Sequence, residues 1–151
     1  MHAGTEARLT EILDRELALA ESLASLLEAE RAALVGDSAE AVVEHATHKA
    51  RLVADFEECD ARRRDLCAQA GIGAAAGLGG PGLPPAVAAR WRSLLAQAAA
   101  CRSANEVNGY IVNARHHQVR QLIDALRGGA PITYGPRGRT NSPSLRPLAQ
   151  A

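Results

Sequence analysis

Apolar positions recur along this chain at three- and four-residue spacing, in three long stretches. In the first, Leu9, Ile12, Leu19, Leu23 and Leu26 form a stripe that Leu13, Leu17, Ala20, Leu27 and Leu34 widen. That rhythm predicts a helix over about 5–35, with Thr5 as its N-cap, and favours long side-by-side helix contacts. Glu16 and Glu30 interrupt the seam and are expected at its edge. Gly36 marks the end, because glycine takes the left-handed cap conformation cheaply. Asp37 then reads as the cap of a second helix over about 38–70, with Glu40 as its box partner. So short a connection makes the pair an antiparallel hairpin. The second stripe is weaker: Val42, Lys49, Leu52, Phe56, Cys59 and Leu66, with Val53 and Cys67 beside it.

Residues 71–84 break the pattern. The run GIGAAAGLGGPGLPP, at 71–85, holds six glycines and three prolines and reads as a flexible linker. It superficially echoes a phosphate-binding loop, but no strand signal precedes it and no G-K-[ST] follows. Pro84 and Pro85 open the third stretch, proline being tolerated in a first helical turn. Its stripe runs through Val87, Trp91, Leu94, Ala98, Cys101, Asn105, Asn108, Val112, Arg115, Val119, Leu122 and Leu126. This predicts a helix over about 85–127, some 60 Å long at 1.5 Å per residue. It outruns the first two, so apolar residues near Val119–Leu126 are expected to be left without helical cover.

The expected fold is therefore all-α: an antiparallel three-helix bundle or coiled coil with a long third helix. One domain spans 1–135, followed by a flexible, disordered basic tail over 136–151, where Gly, Pro, Ser and Arg cannot form a core. Composition agrees. The chain has 151 residues, 47% of them hydrophobic, but one Phe, one Trp and two Tyr. Leu, Val and Ala with few aromatics suit closely packed helices better than stacked sheets.

Charge is zero in sum but partitioned. Residues 5–70 carry fifteen acids against eight bases, residues 71–127 two against six, and the tail three arginines and no acid. The tail's charge reads as solvation, and the chain lacks the basic excess of a nucleic-acid binder. Three cysteines, Cys59, Cys67 and Cys101, include no C-x-x-C; they read as small hydrophobes in a reducing compartment. No apolar run is long enough to span a membrane and no signal-peptide pattern opens the chain. His45 with His48, and His116 with His117, do not make a metal site without further converging ligands. No catalytic set emerges, and the chain is expected to be no enzyme and to need no cofactor.

Asn105 and Asn108 stand where a helical seam wants apolar side chains. They read either as register-fixing residues or as hydrogen-bonding groups for a partner. Gly109, costing about 1 kcal/mol against alanine inside a helix, suggests close helix approach. Val119, Leu122, Ile123 and Leu126 read as core or as a groove for an amphipathic partner helix.

The C-terminal third carries a resemblance. Asn105-Glu106-Val107-Asn108-Gly109, then Arg115, Leu126-Arg127-Gly128 and Tyr134-Gly135-Pro136-Arg137-Gly138, resemble the C-terminal signature of the FlgN family, small cytoplasmic chaperones of flagellar type III export. The resemblance extends over most of the chain, with its specific part confined to about thirty residues. It implies a cytoplasmic chaperone that holds hook-associated (hook–filament junction) proteins by a terminal helix, keeps them from assembling early, and delivers them to the export gate. The client would meet Asn105, Asn108, Gly109, Val112, Arg115, Val119, Leu122, Ile123 and Leu126. The cytoplasmic domain of the gate would meet Tyr134, Gly135 and Gly138. Family members often carry an acid where this chain has Arg137, which bears on the electrostatics of gate docking. A homodimer through the leftover stripe, and a general coiled-coil adaptor without an export role, remain the alternatives.

Overall fold

The computed structural model describes residues 3–36, 38–72, 77–80 and 82–127. Three helices account for nearly all of them: α1 (Ala3–Val35), α2 (Ala39–Gln69) and α3 (Pro85–Leu126). The expected helices recur within two residues at each end. The described residues fall into two compact units, one up to Ala114 and one from Arg115.

In the first unit, cross-helix partners set the directions. Glu16 pairs with Arg63 and Glu30 with Lys49, so α1 and α2 are antiparallel. Asp14 pairs with Arg90, and Asn108 reaches the Leu27 carbonyl, so α1 and α3 run the same way. The result is the expected all-α bundle, arranged up, down and up. Leu9, Leu13, Ala20, Leu66, Leu78, Val87 and Leu94 form its main core. α1 supplies most of the buried side chains, whereas α2 buries only Cys59 and Leu66.

The turns correct two expectations. The cap of α2 is Ser38, whose Oγ accepts from the Ala41 N–H at 3.4 Å; Asp37 lies outside the described residues. At the other end of α2, the Gly71 N–H donates to the Ala68 carbonyl and the Ile72 N–H to the Cys67 carbonyl. With Gly71 at φ +71°, this is the paired-bond helix ending that glycine permits. It turns Ile72 back against the core. The connector, expected as a flexible linker, then forms a short 3-10 turn at Gly77–Gly79, and Leu78 is only 2% exposed. Apolar side chains among the glycines thus close one end of the bundle. Residues 128–151, which include the expected basic tail, lie outside the described residues.

Candidate functional site

Two buried carboxylates on α1 organise the bundle. Glu16 is 0% exposed and Glu30 6%, so neither sits at the seam's edge where the sequence pattern places them. Both lie inside because α2 brings a cation to each. The Arg63 Nε lies 3.1 and 3.0 Å from the two Glu16 oxygens. The same guanidinium also pairs with Asp60 and stacks 4.6 Å from the Trp91 ring centre. One cation thus serves two carboxylates. Burial pushes the Glu16 pKa up; Arg63 offsets this only in part, and Asp60 adds to the rise.

Glu30 sits in a richer polar setting. Lys49 Nζ donates to it at 2.6 Å, and Asn108 Nδ2 donates to its other oxygen at 2.8 Å. Burial raises its pKa, but the hydrogen bonds from Lys49 and Asn108 and the charges of Lys49 and His45 outweigh it, and the net direction is down. Asn108, 2% exposed, also donates to the Leu27 carbonyl at 2.9 Å and accepts from Arg31 Nε at 3.1 Å. Arg31 reaches the Ala104 carbonyl as well, and Lys49 donates to Asn105 Oδ1 at 3.3 Å. Glu30 is therefore the junction of all three helices. A one-residue slip of α3 would break these bonds together, so this is a register lock.

These contacts sort the residues expected to bind a client. Asn108 is a correction: it is buried and its side chain is committed to α1, so it is not surface offered to a partner. Asn105 is exposed and touches Lys49. Gly109 is the second correction. A Cβ built there meets nothing within 4 Å, so no close helix approach requires the glycine. Val112 and Arg115 are half-buried.

In the second unit, every residue from His116 to Arg127 is exposed. Val119 is 55% exposed, Leu122 60%, Ile123 40% and Leu126 78%. Their spacing puts them on one face of α3. Four large aliphatic side chains on one helical face, all exposed, suit the apolar face of another helix. Tyr134, Gly135 and Gly138 lie outside the described residues.

Among the described residues, no three His, Cys, Asp or Glu side chains group to hold a metal ion. All three thiols are unpaired, and burial pushes those of Cys67 and Cys101 up, away from the reactive thiolate. No helix among the described residues is long and apolar enough to cross a membrane. A family model described as FlgN protein matches residues 1–142. No curated protein and no solved structure matches the chain.

Proposed function

This chain belongs to the FlgN family of flagellar export chaperones, and from that premise we propose that it binds hook-associated proteins in the cytoplasm and hands them to the export gate. The observation that supports this reading is the exposed stripe Val119, Leu122, Ile123 and Leu126 on the last turns of α3. Subunits that polymerise through terminal helices must have those helices covered before export. A helix laid on this stripe is sequestered from assembly and from proteolysis by burial of apolar surface alone. No nucleotide or metal enters the scheme.

Gate docking is assigned to Tyr134 with Gly135 and Gly138 on the motif that carries the family resemblance, an aromatic ring being a common anchor in interfaces. Tyr134→Ala should leave client binding intact and weaken binding to the cytoplasmic domain of the gate about 30-fold, the equivalent of about 2 kcal/mol. Cells carrying it should form hooks but few filaments. Loss of client affinity with gate affinity unchanged would move the ring to the client site.

The direct test of the client stripe is Leu126→Asp, read by copurification of hook-associated proteins. The charge should abolish capture while the helical signal in circular dichroism stays at the wild-type level. Undiminished capture by a folded Leu126→Asp chain refutes the stripe as the client site.

A further inference from the structure

The first unit holds a cleft with a volume of about 510 Å³. Leu19 and Leu23 of α1, Val53 and Phe56 of α2, and Ala98 and Cys101 of α3 line it. Small side chains keep it open: Ala46 and Ala50 stand on the α2 side and Ala98 on the α3 side. Ala46 and Phe56, ten residues apart on one helix, mark out a trough about 15 Å long at 1.5 Å per residue. A mostly apolar cavity of this size with a few polar groups in one place is the form that small-molecule sites take.

The polar groups gather at one end. Lys49, Arg102 and Asn105 all line the cleft, and Lys49 Nζ donates to Asn105 Oδ1 at 3.3 Å. Arg102 stands one helical turn before Asn105 on α3. Lys49 also donates to Glu30, so two of its three N–H groups are taken and its charge is matched. Asn105 accepts through Oδ1, and its Nδ2 remains a donor. Arg102 is exposed and forms no hydrogen bond or ion pair among the described residues. This end therefore offers donors from three side chains and one unmatched positive charge. Glu57 also lines the cleft, eight residues along α2 from Lys49 and about 12 Å away. It repels an anion from that side and so sets the direction in which an anionic ligand lies.

We propose that this cleft is a binding site for a free, single-chain fatty acid. The carboxylate meets Arg102, the Asn105 Nδ2 and the remaining Lys49 N–H. The alkyl chain lies over Leu19 and Leu23 and runs towards Phe56. Burial of the chain drives binding, and the charges at the two ends orient it. A trough between neighbouring helices takes one chain. A two-chain membrane lipid would leave its second chain in water, so the free acid is the source. The assignment does not draw on the chaperone reading and survives its loss.

The test is calorimetric titration of dodecanoate into the full-length chain, below the concentration at which it forms micelles. Dodecanoate should bind at a single site. Ala98→Phe fills the trough and should weaken binding about 10-fold or more. Arg102→Glu should weaken it about 10-fold and strengthen binding of the dodecyltrimethylammonium cation. Since Arg102 is exposed, this second variant decides the matter should Ala98→Phe lose its fold. No dodecanoate binding by the wild-type chain, or unchanged affinity in folded variants, overturns the proposal. Equal affinity of the wild-type chain for the dodecyl cation also overturns it, because adsorption to apolar surface would then need no carboxylate site. Cosedimentation with anionic phospholipid vesicles that Ala98→Phe abolishes would make a membrane lipid the occupant. A dimer in sedimentation that Ala98→Phe dissolves would make it a second copy, and either result overturns the assignment.

Discussion

The long helix α3 contributes to two regions that share one pattern and meet opposite surroundings. Up to Ala114 its stripe faces α1 and α2: Val87, Leu94, Cys101 and Asn108 are buried. From His116 onward the same spacing continues through Val119, Leu122, Ile123 and Leu126, and all four are exposed. The periodicity is a property of the helix; burial is a property of what lies against it. An apolar stripe therefore states that a partner is needed without stating whether this chain supplies it. In the first region α1 and α2 supply it, together with two buried carboxylates that hold the helices in register. In the second, none of the described side chains from His116 to Arg127 is buried, and the client proposed here would supply the cover.

The comparison can be broken most severely at Arg63. Removing its side chain in Arg63→Ala strands Glu16, which is 0% exposed, inside the bundle. Loss of a buried partner of this kind costs about 3–5 kcal/mol, to be read from urea unfolding. A loss below 1 kcal/mol would mean that Glu16 does not depend on its cation. Next in size is Leu78→Ala in the connector. A buried leucine cut to alanine costs about 2–5 kcal/mol, so the Gly-rich segment should behave as core. A connector that only links the helices would show almost no change.

Acid sharpens the contrast between the two carboxylates. The folded-state pKa of Glu30 is lowered, so its contribution is complete above the ordinary carboxylate range and is lost as pH falls through the folded value. The pKa of Glu16 is raised, so the fold takes up its proton before the unfolded chain does. Stability from this group rises as pH falls from the raised value to the ordinary one. Glu30→Gln should flatten the acid-side loss of stability, and Glu16→Gln should steepen it, in urea midpoints between pH 7 and pH 3. Equal slopes for the two variants would contradict the opposite shifts. The smallest effect belongs to the second region. Leu122→Asp should change stability by no more than about 0.5 kcal/mol, as at other exposed positions, while abolishing client capture. A fall in thermal midpoint as large as that of Arg63→Ala would show that the stripe is covered within the protein itself.

The sequence by itself determined the helices and their order, because three- and four-residue spacing and glycine or proline punctuation are local signals. It also marked Asn105 and Asn108 as polar residues in an apolar seam, and it carried the motifs of the family. It could not determine which of these asparagines was buried. Asn108 is inside because Leu27, Glu30 and Arg31 converge on it from α1; Asn105, three residues earlier, remains exposed and accepts from Lys49. Glu16 and Glu30 show the same limit. A carboxylate in a leucine seam is expected at its edge when its helix is read alone, since an unpaired charge is too costly to bury. Only the tertiary structure decided that Arg63 and Lys49 of α2 would face them from within. Leu78 went unrecognised as core for a related reason: glycine-rich composition signals flexibility, while burial depends on where the preceding helix ending aims the chain. Local pattern settles backbone conformation, but the place of each polar group is set by contacts between residues far apart in the chain.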